Sequence, residues 1–381
     1  MRITYLLILI LLSATTHAQD ISDKRTKFYF EQNLILGDNP DADSLEYIFG
    51  LPSAVVSDNN GDIYVSDDKY GAIRVYNKNG WFIREIGGAG RGPGEFQEVT
   101  TMTLLPNNQL LIYDYMQFMI IKYDTSGKLI DTFSLDSFEA VRPDYIRSIG
   151  DHNIISFHRK REAKRPYFNV NEDYLIHITS YDFQNVKEEF VHISELIEME
   201  EPFEVRFVGG VYTGIFTNTD STVTMAPFFY RGDIFQYKKT NTGWELSDTL
   251  SSYVETTEPY KMYDDYRDVL GKGIALSSSD GPLAAIMNNE SLGIFRLNNG
   301  NLLHLASIRI DGESELYASR FREDGTLLSH GKVTNLNPGV QENGYYRRMR
   351  FYWMDQKNQL YILDQPQSGG FTVRRGFIRS E

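Results

Sequence analysis

The chain has 381 residues, 41% of them hydrophobic, with 25 Tyr and 23 Phe, enough apolar material for one large core or two ordinary ones. Its formal charge of −14 disfavours nucleic acid and anionic membrane surfaces as partners, since phosphate binding relies on clustered Lys and Arg. The absence of cysteine excludes disulfides, thiolate metal sites, a Cys nucleophile and lipid attachment at a mature N-terminal Cys.

Residues 1–18 read as a signal peptide. Arg2 supplies the positive region, residues 6–12 an apolar run, and Thr16-His17-Ala18 a small-residue cleavage site before Gln19. The expected location is periplasmic or secreted. No later segment reaches the eighteen apolar residues that a membrane-spanning helix needs. Residues 19–27 read as a loose polar terminus and Asn33-Leu34-Ile35-Leu36-Gly37 as a strand.

A full unit then begins at Pro52. Short β-rich runs at Ala54-Val55-Val56, Ile63-Tyr64-Val65, Ile73-Arg74-Val75-Tyr76 and residues 81–86 are separated by Asn/Asp/Gly turns, the pattern of a four-stranded antiparallel meander. The next unit repeats it. Ile63 to Leu110, Ile73 to Ile120, Tyr76 to Tyr123 and Gly80 to Gly127 are all displaced by 47 residues. Later copies are more degraded: a third over 145–192, a fourth over 205–251, a fifth within 273–333 and a sixth over 345–379. Between the fourth and fifth, Tyr260, Tyr263, Tyr266, Val269 and Leu270 recur at helical spacing, predicting a short amphipathic helix within 258–271.

The last unit lacks a fourth strand and the strand at Leu34 lacks a partner, so the N-terminal strand (32–37) closes a ring. The expected fold is all-β, a six-bladed β-propeller occupying residues 19–381, with seven blades as the alternative if 274–333 holds two units.

Pro52-Ser53-Ala54-Val55-Val56-Ser57-Asp58, Gly61-Asp62-Ile63-Tyr64-Val65-Ser66-Asp67 and Ile73-Arg74-Val75-Tyr76 resemble an NHL repeat. The stretch Gly87-Gly88-Ala89-Gly90-Arg91-Gly92-Pro93-Gly94-Glu95-Phe96 resembles the inter-repeat linker of the secreted six-bladed β-propeller proteins of Bacteroidetes-type bacteria. The resemblance is carried by residues 49–135 and 348–378, and by strand spacing alone between them. It implies fold and export; most proteins of that group have no assigned activity.

That glycine-dense stretch is not a phosphate loop. It lacks the Lys-Ser/Thr of a Walker motif and leads into a strand rather than a helix. Its glycines serve a tight passage between units. Asp67, Asp114 and Asp364 each end a second strand, where a repeated Asp accepts backbone amide hydrogen bonds; His158 stands in the aligned place of the third unit. The histidines show no metal-binding helix spacing, no Gly-x-Ser-x-Gly elbow occurs, and no cofactor is expected.

Topology offers a better guide. Loops after second and fourth strands emerge on one face, which gathers Asp68, Tyr70, Arg91, Glu95, Tyr115, His158, Arg159, Tyr230 and Arg231. Aromatics beside arginine at the mouth of a closed β-structure suit a sugar, peptide or carboxylate. The expected function is a non-catalytic, monomeric propeller binding a glycan, peptide or protein. The alternative is a metal-assisted lyase or hydrolase acting in the central funnel, with Zn or Ca.

Overall fold

The computed structural model describes residues 24–37, 44–135, 142–159, 174–195, 214–269, 274–276, 283–338, 349–364 and 370–381; the leader-like segment 1–18 lies outside them. Six four-stranded antiparallel sheets form the fold. Blade one comprises Pro52–Ser57, Ile63–Asp67, Ala72–Tyr76 and Phe82–Ile86, and blade two Val99–Leu104, Gln109–Asp114, Met119–Asp124 and Leu129–Ser134. Blade three comprises Arg142–Ile149, Asn153–Arg159, Tyr174–Ser180 and Val186–His192, and blade four Gly214–Asn218, Thr222–Pro227, Asp233–Lys239 and Trp244–Ser251. Blade five holds Asn289–Arg296, Leu302–Ile310, Glu313–Phe321 and Leu327–Lys332. Blade six holds Arg350–Met354, Leu360–Asp364 and Thr372–Ser380, completed by the N-terminal strand Phe28–Leu36.

The first strand of each blade contacts the first strands of the blades on either side, and the cycle closes from blade six back to blade one. The propeller therefore has six blades, and the N-terminal strand closes it as expected, pairing Phe28 with Ser380 and Leu36 with Val373. Side chains packed between blades build the core. Val55, Tyr64 and Val75 of blade one share a cluster with Tyr352, Tyr361 and Val373 of blade six and Met102 and Ile112 of blade two. Full burial of each such side chain is worth about 1.5–3 kcal/mol, so the ring needs no disulfide.

The 47-residue repeat has a physical basis. Asn77 Oδ1 accepts from the amides of Asn79 and Trp81 at 2.9 and 3.1 Å, and Asp124 Oδ1, 47 residues on, from those of Ser126 and Lys128, both at 2.9 Å, so each locks the turn after its third strand. On the third strand the Tyr76 hydroxyl donates to the Glu46 carbonyl, and its counterpart Tyr123 donates to the Gly94 carbonyl at 2.5 Å. Each tyrosine pins the segment that enters its own blade.

Two expectations change. Residues 258–271 contain no helix among those described beyond a 3-10 turn at Tyr266–Val269; residues 270–273 lie outside the description. Tyr260–Tyr263 is instead a strand pairing with Leu283–Met287, which also pairs with Ile274–Leu276. This three-stranded sheet is an insertion between blades four and five, while the two strand–turn–strand pieces around Gly300 and Gly325, which left seven blades open, are the two hairpins of blade five. Tyrosine is at home in strands, and a partner some twenty residues further along was invisible to local spacing. Second, residues 24–27 are not loose. Thr26 donates to the His330 carbonyl at 2.8 Å and His330 donates to the Lys24 carbonyl at 3.0 Å, adding a short parallel strand to the edge of blade five.

Candidate functional site: an axial cavity

Within each blade the chain alternates between the two faces of the ring. The turns after first and third strands share one face, and the connections after second and fourth strands share the other. Most of the sequence-predicted site residues lie on the second face, in packing rather than around an opening. Asp68 Oδ1 accepts from Ser53 Oγ at 2.9 Å and from the Val99 amide at 3.0 Å, tying blade one to blade two. Burial pushes its carboxyl up to about 6, with Glu98 and Asp67 adding to the shift and the two hydrogen bonds opposing it. Tyr70 lies under the Arg74 guanidinium, 4.3 Å from the ring centroid.

The linker closes on itself. The Glu95 carboxylate accepts from the Gly92 amide at 2.7 Å, the Phe96 amide donates to the Gly88 carbonyl at 2.9 Å, and Phe96 is fully buried. Gly87 has φ +81°, and a Cβ there would sit 2.3 Å from the Phe96 ring, so this position requires glycine. Gln117 Nε2 donates to the carbonyls of Gly90 and Glu95 and to Asp114 Oδ2, sewing the linker to blade two. Arg91 is exposed and forms no ion pair among the described residues.

Tyr115 is half-buried, with its ring 6.1 Å from that of Phe118. Tyr230 is not a surface residue. It is 1% exposed, packs 4.7 Å from the His304 ring and donates to the Gly232 carbonyl. Arg231 beside it is half-buried. His158 and Arg159 end the second strand of blade three, but their side chains lie outside the description, as do the loop residues 160–173 and 365–369. Two of the three repeated aspartates act as expected, while Asp364 instead meets the Arg374 guanidinium at 3.4 Å. Asp67 accepts from the amides of Gly50 and Leu51, both at 2.8 Å, and Asp114 from those of Gln97, Glu98, Met116 and Gln117.

Two adjoining cavities open on the first face. The outer one, of ≈600 Å³, lies between the turns of blades one, two and six and includes Asp58, Pro106, Asp355 and Lys357 in its rim. The inner one, of ≈200 Å³, is lined by first strands of five blades, among them Thr103, Tyr145, Arg147, Phe216, Asn218, Phe295 and Arg296. Ser148, Trp353 and Met354 line both.

Arg147 lies in the lining of the inner cavity. Blade three stands opposite blade six in the ring, and Arg147 Nη2 crosses the axis to donate to the Tyr352 carbonyl at 2.8 Å. The same nitrogen donates to the Tyr145 hydroxyl, and Nη1 donates to the Ile146 carbonyl at 2.8 Å. The guanidinium carbon lies 3.9 Å from the Tyr145 ring centroid, 5.0 Å from that of Trp353 and 5.8 Å from that of Tyr352. Three rings thus box one cation. Tyr352 is itself fixed from blade two, whose Met102 amide donates to its hydroxyl at 2.9 Å. Burial pushes the Tyr145 hydroxyl above the usual phenol range, so it stays protonated.

Arg296 approaches from blade five. It pairs with Glu323 at 3.0 Å and donates to Thr222 Oγ1 at 3.1 Å. Its Nε, together with Thr103 Oγ1 and Trp353 Nε1, is buried without a hydrogen-bond partner among the described residues. Sequence reasoning missed Arg147 and Arg296. The usable signal was a charged residue on a first strand, where blades one and two offer Ala54-Val55-Val56 and Thr101-Met102-Thr103. Among the described residues no group of three His, Cys, Asp or Glu side chains could hold a metal ion, and no helix is long and apolar enough to cross a membrane.

A family profile described as 6-bladed beta-propeller, DUF5128, matches residues 49–240, half of the chain. The protein belongs to that family. This family member is also similar in fold to a candidate exported protein from Bacteroides fragilis NCTC 9343, at 12% identity and TM-score 0.54, with 94% of this chain and 99% of that one covered. A member of the DUF4221 family from Bacteroides vulgatus is similar at 11% identity and TM-score 0.55, again covering 94% and 99%. Virginiamycin B lyase from Staphylococcus aureus aligns over 92% of this chain and 99% of its own at 10% identity, but its TM-score of 0.42 is too low to bear on function. No curated protein sequence matches the chain.

Proposed function

We propose that this propeller is a non-catalytic binding protein whose ligand, the terminus of a glycan or peptide, enters the axial cavity from the face of the first-strand turns. One observation carries the reading: Arg147 bridges blades three and six across the axis, so the cavity holds a fixed guanidinium among aromatic side chains. A concave site in which polar groups converge beside aromatic side chains is suited to small-ligand recognition. The cavity lies on the face opposite the one that loop composition favoured, and that displacement is part of the proposal. Export is proposed from Arg2, the apolar run 6–12 and the small residues before Gln19, in keeping with the name of the Bacteroides fragilis protein.

The test is a thermal-shift and calorimetric screen of the purified protein against mono- and oligosaccharides and short peptides, repeated with Trp353→Ala. A bound compound whose affinity falls at least tenfold in the variant supports the site. Turnover of any screened compound, or binding indifferent to Trp353, overturns the reading.

A further inference from the structure

Resting on the axial-site reading, we infer that the ligand is an organic anion: a carboxylate carried on a ring that lies against Trp353, with the carboxylate on Arg147. The charge distribution argues for it. Arg147 has no carboxylate within ion-pair distance among the described residues; its three hydrogen bonds go to two carbonyls and a phenol oxygen. A guanidinium has five N–H donors, so two remain unassigned. The acids at the rim keep their charges but are not directed at Arg147. The Asp58 carboxylate is turned onto the amides of Asn60 and Asp62 and the Tyr64 hydroxyl, and that of Asp355 onto the amides of Lys357 and Gln359. Glu323 pairs with Arg296 from an exposed position, at 66% accessibility. In a chain of net charge −14, the inner cavity at Arg147 is therefore a local cationic spot.

The walls select what carries the anion. Trp353 and Tyr145 flank the guanidinium, with the buried Phe216 and Phe295 packed behind them, so a ring can stack where a bare phosphate or sulfate would be left against aromatic faces. Polar groups stand between them. Thr103 Oγ1 is buried without a partner among the described residues, and Asn218, in the same lining, donates its amide to the Ser148 carbonyl at 2.9 Å. That combination fits a sugar acid, and the same charge and ring fit an aryl carboxylate.

The experiment uses the native protein and two matched probe pairs: D-glucuronate against D-glucose, and 4-hydroxyphenylacetate against 4-hydroxyphenylacetamide. Binding is followed by tryptophan fluorescence. The chain has three tryptophans, and Trp353→Phe identifies the cavity signal. The expected result is that an acid binds about 10- to 100-fold more tightly than its neutral partner, as charge-assisted hydrogen bonds predict, with the preference lost in Arg147→Gln and a Trp353-dependent signal. The pair that responds distinguishes sugar acid from aryl acid. Equal binding of acid and neutral partner, still Trp353-dependent, overturns the anion inference and leaves the axial site standing. Acid binding with a signal unchanged in Trp353→Phe overturns both. Because the native protein alone decides between acid and neutral, a variant that fails to fold does not decide the question.

Discussion

Asp68 is the residue where packing and charge conflict most openly. Its Oδ1 holds Ser53 and Val99, yet burial raises its carboxyl from 3.8 to about 6. An acid whose folded value exceeds its unfolded value stabilises the fold fully below the lower value, and the benefit is lost as pH rises through the upper one. Asp68→Asn keeps an acceptor oxygen for both donors and cannot ionise. Urea titrations should find it indistinguishable from the native protein near pH 4 and more stable above pH 6.5, by on the order of 2 kcal/mol after allowing for partial exposure. His304 works in the opposite sense. Burial against Tyr230 lowers its imidazolium from 6.5 to about 3, so its neutral form supports the fold above pH 6.5 and that support is withdrawn on acidification toward pH 3. Between pH 4 and 6 the two residues offset each other, and the Asp68→Asn profile should rise with pH more steeply than the native one.

At the scale of the element, the linker between blades one and two shows what was legible in the sequence. Asp67 and Asp114 could be read as amide acceptors because a short acid at the end of each second strand has few other roles. The four-anchor displacement exposed the blades because Tyr76 and Tyr123 perform the same task in each. Glu95 and Tyr230, read as candidate ligand contacts, are engaged within the fold in a way the sequence did not show. Loop position does not report whether a side chain folds back, as Glu95 does onto Gly92, or inward, as Tyr230 does onto His304. Asp114 gives the sharpest test of the linker. Its side chain is fully buried and accepts four backbone amides and the Gln117 side chain. Asp114→Ala removes every one of these acceptors, and even with water reaching the outer amides the loss should be about 2–4 kcal/mol. Hydrogen exchange followed by mass spectrometry should localise the loosening to residues 87–98 and 114–118, with blade five unchanged. A uniform rise across all blades would instead mean that the linker and the ring unfold as one unit.

For the whole molecule, the N-terminal segment is joined to the ring twice. The antiparallel strand Phe28–Leu36 could be inferred from a unit short of one strand, since sheet edges need partners. The axial cavity could not, because which face opens depends on side chains from five blades whose sequences are far apart. The second join was equally hidden: residues 24–27 lie along the edge of blade five before entering blade six. Gly331 permits it. A Cβ built on Gly331 would lie 1.7 Å from the Thr26 carbonyl oxygen, a collision with backbone that no rotamer can relieve. Gly331→Ala should therefore detach residues 24–27 while leaving Phe28–Leu36 paired, because the eight register pairs with Thr372–Ser380 do not involve Gly331. The lost hydrogen bonds, Thr26 to His330 and His330 to Lys24, predict a cost of about 1–3 kcal/mol. Amide exchange should accelerate at Thr26 and His330 in the variant and stay slow at Phe30 and Ile378. If exchange accelerates equally at all four, the short parallel join and the closing strand open together, and closure of the ring depends on the segment before Phe28 as much as on the strand itself.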